Sequence, residues 1–358
     1  MNNILFITRY FGEMMGGTMC SKRNYSSLQE IFDKTYEYRI MNKVSHRQIF
    51  SRIEQIIFGY MGGIDELDKK NIKRIILEKQ CSHVFIDSSL LGYLSLYLHQ
   101  QFPCLIITCF FHNFEYHYIK ETYTGIKKIL YSQWTLKNEN LACKYSNHII
   151  ALNQRDALMI QQQYKRKPDI CIPISIPDTY TTELKKSPLK KEKYILFIGS
   201  YFPPNVEGIL WFIQNVLPHI NIKLVIVGKD MDKLHIPSEI KDKIHLYSNV
   251  PDLSVFYQNA ELMVMPIFSG SGMKVKTAEA LMYGKFLIGT KEAFEGYEID
   301  EKIGILCNNA NDFIKNINKY SQQNLIYNAP SRTLFIDKYS SDATQELFNS
   351  LLKSLLSR

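Results

Sequence analysis

Residues 262–284 read Leu262-Met263-Val264-Met265-Pro266-Ile267-Phe268-Ser269-Gly270-Ser271-Gly272-Met273-Lys274-Val275-Lys276-Thr277-Ala278-Glu279-Ala280-Leu281-Met282-Tyr283-Gly284. The run Leu262–Pro266 has the length and composition of a buried strand. Gly270 and Gly272 allow a tight turn and leave backbone N–H groups uncovered. A helix follows, with Gly284 at its C′ position. Strand, glycine-rich loop and helix make one βα unit, and the positive end of such a helix favours a diphosphate. Lys274 falls in the first turn, where a cation opposes the helix dipole, so an anion is expected beside it. Lys276 and Glu279 are three residues apart and share a face. A carboxylate there can accept hydrogen bonds from both hydroxyls of a ribose. The plainer alternative is a glycine-rich loop carrying a surface Lys–Glu pair.

The same rhythm extends outward. Short apolar runs at 3–8, 83–87, 105–110 and 148–152 precede it. Within the second half lie 194–198, 223–227, 244–247 and 286–290. Runs of this length separated by helix-length stretches indicate βα units and parallel sheets. Pro173-Ile174-Ser175-Ile176-Pro177 and the Thr- and Lys-rich stretch after it lack periodicity. The expected organisation is α/β, with two Rossmann-like doubly wound domains facing a cleft. These are residues 1–172 and 194–330, joined by a linker at 173–193. A helical tail at 331–358 is expected to pack back on the first domain. Ligands in such folds bind beyond the carboxyl ends of the strands.

Composition narrows the class. The 358 residues are 46% hydrophobic and 22% charged, which is globular and enough for about two domains. No apolar run reaches the ~18 residues of a bilayer span, and the first residues do not read as a signal peptide. The seven cysteines have no Cys-x-x-Cys spacing. They read as free thiols of a reducing, cytoplasmic compartment rather than zinc ligands. Residues 1–170 hold 22 Lys+Arg against 15 Asp+Glu, so they carry nearly all of the net +8. That half is expected to face something anionic, such as acidic lipid or a phosphorylated carrier. No recognisable module supports nucleic-acid binding.

Other loops add candidates. Gly199 follows the run at 194–198, and Asn205 is a suitable N-cap for the apolar-striped helix after it. A plain βα turn is an equal reading. No Walker A loop occurs, nor a Gly-x-Gly-x-x-Gly after the first strand, which disfavours an NTPase or a nicotinamide enzyme. In the first half Gly16-Gly17 follows the first strand, and His112-Asn113-Phe114-Glu115 follows the run at 105–110. Residues 118–137 interleave Lys120, Lys127, Lys128 and Lys137 with Tyr123, Ile126, Ile129, Leu130, Tyr131 and Trp134. They read as a helix that either lies on an anionic membrane surface or packs on the core.

Taken together, Gly199, Pro204-Asn205, Leu217-Pro218, Val227-Gly228, Val250-Pro251-Asp252-Leu253, Tyr257, Pro266, Gly270-Ser271-Gly272, Lys274, Lys276, Glu279-Ala280, Gly284, Thr290 and Glu295-Gly296 resemble a known pattern. It is that of the donor-nucleotide domain of GT-B glycosyltransferases of the group 1 type, family four in the usual classification. The resemblance covers about 100 residues in the expected order. It implies that Glu279 binds the donor ribose. Lys274, with the backbone of Gly270, Ser271 and Gly272, would hold the diphosphate, and Val250–Leu253 would hold the base. Relatives with two glutamates carry the first where Ser271 stands, so the chain resembles the subgroup with Gly-x-Gly there. Gly16 and Gly17 would approach the diphosphate and the acceptor. His112, within a His-Asn-x-Glu sequence that the subgroup shares, would bind the donor sugar or the reacting hydroxyl. Catalytic roles are thus expected of His112, Lys274 and Glu279. The implied activity is transfer of a hexose from a UDP- or GDP-sugar to a glycan or lipid-linked acceptor. It is retaining, without metal or other cofactor, and serves surface-polysaccharide or glycoconjugate synthesis at the inner membrane face. The missing glutamate leaves open a silent GT-B subunit that steadies a partner transferase. A nucleotide-sugar epimerase of the same fold is a third possibility.

Overall fold

The computed structural model describes residues 2–9, 16–40, 53, 57–183, 185–187, 189, 192–270, 272–323 and 325–356. The chain divides into two compact units, Met1–Pro173 with Thr344–Arg358, and Ile174–Ala343. Residues 174–193 and 331–343, read above as linker and tail, therefore count with the second unit.

In the first unit the strands are β1 (Asn3–Arg9), β2 (Lys34–Ile40), β3 (Cys81–Ile86), β4 (Ile106–Phe111), β5 (His148–Ala151) and β6 (Ile170–Cys171). The helices between them are α1 (Gly16–Ile31), α2 (Glu66–Glu78), α3 (Gly92–Gln101), α4 (Glu115–Thr122), α5 (Gly125–Tyr145) and α6 (Gln154–Tyr164). All pairings are parallel, in the order β2-β1-β3-β4-β5-β6. Leu5, Ile7, Val84, Ile86, Ile107, Cys109 and Ile149 form its buried centre. Parallel strands covered on both faces read as near-continuous apolar runs, which is why these four were visible in the sequence.

The second unit repeats the plan with β7 (Tyr194–Ile198), β8 (Lys223–Gly228), β9 (Ile244–Ser248), β10 (Leu262–Met265), β11 (Leu287–Gly289) and β12 (Gly304–Leu306). Its helices are α7 (Pro203–Asn215), α8 (Ser254–Asn259), α9 (Val275–Met282), α10 (Ala310–Tyr320) and α11 (Ala329–Leu334). The order β12-β11-β10-β7-β8-β9 is again all parallel. Chain direction across each sheet reverses between β1 and β3 and between β7 and β10. Ligands of open α/β sheets collect beyond the carboxyl ends of strands at such switch points.

The last helix, α12 (Ser341–Leu356), returns to the first unit. Gln345 donates to the Ser27 carbonyl of α1 at 3.2 Å, and Phe348 lies 6.4 Å from the Phe85 ring.

Three strands escape a reading for apolar runs. β2, Lys34-Thr35-Tyr36-Glu37-Tyr38-Arg39-Ile40, is a charged, half-exposed edge strand, and β6 and β12 are short edges. Edge strands bury little and are placed by their neighbour's backbone. The stretch 118–137 is also not one helix, because α4 ends at Thr122 and α5 begins at Gly125.

Candidate active site

In the second unit, the loops after β7 and β10 meet at the switch point. The loop after β7 begins at Gly199. A Cβ there would stand 3.0 Å from the Lys276 ammonium and 2.9 Å from the Asn205 side chain, so any larger residue would displace both. Asn205 is not an N-cap. Phe202 holds that position, because Pro203 and Pro204 take the first helical positions, where a missing N–H costs nothing. The Asn205 amide instead donates to the Ser200 carbonyl at 2.9 Å and accepts from Lys276 Nζ at 2.6 Å.

The loop after β10 leads to α9. Gly270 has φ +130°, a conformation that L side chains rarely adopt. Ser271 lies outside the described residues. Lys274 is the N-cap residue rather than a member of the first turn. Its ammonium sits 2.7 Å from a Glu292 carboxylate oxygen and 2.9 Å from the Gly272 carbonyl. The anion expected beside a cation at a helix start is thus supplied by the protein itself.

Lys276 and Glu279 share the face that Gly199 opens. Burial pulls the Lys276 ammonium down to about 7, against the attraction of Glu279 and with the repulsion of Lys274. Glu279 is raised by burial, and partly held down by a 2.9 Å hydrogen bond donated by the Tyr257 hydroxyl and by Lys276. Tyr257 stacks on Tyr283 at 4.9 Å with nearly parallel rings, which fixes the hydroxyl. A diphosphate beside Lys276 would hold its proton. Nucleotide binding is therefore expected to take up a proton above pH 7 and to weaken as pH rises from 7 to 9. Calorimetry in buffers of different ionisation enthalpy measures that uptake.

The segment Val250–Leu253 is tied to the stretch around Lys185. Asp252 takes a 2.5 Å bond from Lys185 and a 2.8 Å bond from the Ser254 N–H. Its carboxyl is held at about 2, chiefly by Lys185. Val250 is half-buried beside it.

The first unit gathers a different set at its own switch point. Asp87, fully buried after β3, accepts from Thr8 at 3.1 Å and from Asn24 at 2.8 Å. His112 Nε2 lies 3.2 Å from an Asp87 carboxylate oxygen and 3.1 Å from its carbonyl. The imidazole is also hydrogen-bonded to the Cys20 thiol. Burial works against its charge, but Asp87 and Cys20 outweigh it and raise His112 well above its ordinary value. Burial would likewise raise Cys20, yet Arg23 and His112 bring it below the usual thiol range. The Arg23 guanidinium donates to Cys20 Sγ at 3.1 Å. Asp87 and Cys20 thus favour the charged form of His112.

Asn113 donates to Glu115 at 3.3 Å. The N–H groups of Glu115 and Tyr116, at the start of α4, donate to Glu139 at 3.0 and 3.2 Å. Ser89 and Tyr164 bond the same buried carboxylate, and burial pushes Glu139 up to about 8. Gly16 opens α1, and a Cβ on Gly17 would meet nothing within 4 Å. Asp87, Cys20, Glu139, Glu292 and Tyr283 were not foreseen as site residues. Asp87, at the end of the 83–87 run, carries the one usable signal, a carboxylate closing an apolar strand.

Residues 192–323 match the family model "Glycosyl transferases group 1". This stretch is similar to group 1 glycosyltransferase domains. It holds Gly199, Asn205, Lys274, Lys276 and Glu279. Over the whole chain the architecture is that of GT-B proteins. The structure of HepE from Anabaena in complex with UDP matches with a TM-score of 0.72 at 12% identity, over 99% of this chain and 100% of that one. The lipopolysaccharide outer core galactosyltransferase WaaB gives 0.69 at 12%, over 98% and 99%. Sucrose-phosphate synthase from Thermosynechococcus elongatus gives 0.70 at 13%, over 100% of both chains. At such identities the likeness shows the fold. An uncharacterized 44.6 kDa protein in the cps region of Klebsiella pneumoniae is 27% identical over 272 residues, 68% of this chain and 66% of that protein.

Proposed function

We propose that the chain transfers a hexose from a UDP- or GDP-sugar to a hydroxyl of a glycan or lipid-linked acceptor. The observation that carries this reading is the meeting of Gly199, Lys276 and Glu279 at the β7/β10 switch point inside the group 1 domain. Glu279, oriented by Tyr257, accepts from the ribose hydroxyls. Lys276, Lys274 and the start of α9 stabilise the departing diphosphate. His112, its charged form favoured by Asp87 and Cys20, binds near the donor sugar or the reacting hydroxyl. The backbone of the Gly270–Gly272 loop approaches the diphosphate, and the loop belongs with the subgroup that carries Gly-x-Gly. Val250 and Asp252 border the base, and Gly16, Gly17, Asn113 and Glu115 border the acceptor. Retention of configuration and independence from metal or cofactor follow from the resemblance to group 1 enzymes. Structures of HepE with UDP and with UDP-glucose support a nucleotide-sugar donor, and the relative in a cps region supports surface-polysaccharide synthesis. The direct test is calorimetry with UDP and GDP, followed by product analysis with the matching nucleotide-sugar. Failure of both nucleotides to bind would sink this reading.

The lipid-linked reading includes peripheral attachment at the cytoplasmic face of the membrane. No described helix is long and apolar enough to cross a bilayer. At the start of α5, Ile126 is 74% and Ile129 is 64% exposed, with Lys127 and Lys128 between them. Phe58 and Ile57 are exposed further along the helix, where Lys137 of α5 donates to the Phe58 carbonyl at 2.6 Å. Replacing Ile126 and Ile129 with serine is expected to abolish sedimentation with phosphatidylglycerol vesicles. Sedimentation at the wild-type level would refute attachment through α5.

One observation favours the silent subunit. Lys274 already has a carboxylate partner in Glu292, which competes with a diphosphate. Binding of UDP or GDP by the lone chain decides against it.

A further inference from the structure

A cavity of about 280 Å³ opens in the first unit on the β2 side of β1. That is just under the ~300 Å³ at which sites for drug-sized molecules begin, so it suits a single sugar-sized or smaller group. Its walls are the last residues of β1, the outer part of β2 and the side of α1 between residues 18 and 26. Three cations converge there: Arg9 from β1, Lys22 from α1 and Arg39 from β2. The carboxylate in the wall, Glu37, is already bound by the Arg39 fork, Nε to Oε1 at 2.5 Å and Nη2 to Oε2 at 2.9 Å. Among the described residues the wall thus carries three cations and one carboxylate. Hydroxyls of Thr18, Ser21 and Ser26 complete it. Ser21 is only 7% exposed, and its Oγ has no hydrogen-bond partner. A buried orphan hydroxyl costs about 1–3 kcal/mol unless something else satisfies it. Cations and hydroxyl donors together select an oxyanion.

We propose that this cavity binds a phosphate or carboxylate borne by the acceptor, so that the acceptor is an anionic sugar or polyol. Assigning the anion to an acceptor rests on the glycosyl-transfer reading above; binding of the anion does not. Arg9 links the cavity to the proposed acceptor loop through its attraction to Glu115, two residues beyond Asn113. An anion held by Arg9 and Lys22 would place the attached hydroxyls toward His112-Asn113-Phe114-Glu115.

The test uses the full chain with glucose 6-phosphate, glucuronate, inorganic phosphate and uncharged glucose, each titrated by calorimetry, with UDP and GDP titrated in parallel. Glucose 6-phosphate or glucuronate is expected to bind and glucose not to bind. Lys22 is exposed, so Lys22→Glu leaves the fold intact. It is expected to weaken the anion at least tenfold, as loss of one charge-assisted hydrogen bond requires, with nucleotide binding unchanged. Ser21→Ala is expected to weaken it several-fold. Displacement of glucose 6-phosphate by phosphatidylglycerol vesicles would assign the anion to a lipid headgroup, and its absence to a soluble acceptor; either supports the site. Lack of binding by every anion, or binding that Lys22→Glu and Ser21→Ala leave unchanged, overturns the inference. If UDP and GDP still bind in that case, the donor reading stands without it. If an anion binds through Lys22 while neither nucleotide does, the site stands and the transferase reading falls.

Discussion

Replacing Glu279 with alanine is expected to weaken binding of the cognate nucleoside diphosphate by a hundredfold or more, without unfolding the protein. A carboxylate that accepts from two ribose hydroxyls makes two charge-assisted bonds, each of about 1.5–3 kcal/mol. Their joint loss amounts to roughly two to four decades in affinity. The fold should tolerate the change, because the Glu279 carboxyl is itself raised by burial and its removal relieves that cost. Two further variants separate contact from positioning. Glu279→Gln keeps one acceptor oxygen and should lose less than alanine does. Tyr257→Phe leaves the carboxylate in place but removes the 2.9 Å bond that aims it, so the loss should stay near tenfold. Calorimetry with UDP and GDP on the three variants measures the series. An unchanged dissociation constant in Glu279→Ala would end the ribose assignment, whatever the enzyme's product.

The largest effect on stability is expected at Lys285. This side chain is fully buried between β10 and β11, and its ammonium donates to the carbonyls of Ala260 at 3.0 Å, Gln258 at 3.4 Å and Ile326. Those carbonyls belong to the turn after α8 and to the approach to α11, which have no ladder to satisfy them. Methionine fills the same volume but donates nothing. Lys285→Met should therefore cost about 1–3 kcal/mol in urea unfolding, the range for leaving a buried acceptor unsatisfied. Its pH dependence is a second signature. Burial pulls the lysine down to about 7 from 10.5. Between those values the unfolded chain holds a proton that the folded chain has shed. Wild-type stability should thus rise by up to about 1.4 kcal/mol per pH unit across that window, a slope Lys285→Met should lack. Equal stability of the two proteins at pH 7 would mean that desolvating the ammonium cancels its three bonds.

Lys285 also illustrates what a linear reading misses. In sequence it is a charged residue beside Gly284, indistinguishable from a solvated one. Only the folding of 258–260 and 326 around it turns it into a core residue. The same holds for Glu292, eighteen residues beyond Lys274 in an unremarkable loop, and for Cys20 and Glu139, whose helical positions carry no chemical signal until a neighbouring strand or helix faces them. Asn205 was misread as a cap for a local reason. Two prolines immediately before it already supply the first helical positions, and its amide is left to bridge Ser200 and Lys276.

Sequence alone determined the α/β class, the central strands of both sheets and the stretch from Gly270 to Glu279. Each is written in local pattern: apolar runs for strands buried on both faces, glycines where the chain must turn, and three-residue spacing where two side chains share a helix face. Tertiary structure alone decided the edge strands β2, β6 and β12, the partners of Lys274, His112 and Lys285, and the cationic cavity beside β1. These depend on residues tens of positions apart meeting in space. Charge and hydrogen bonding act over a few ångströms, and one-dimensional order does not record which distant groups come that close.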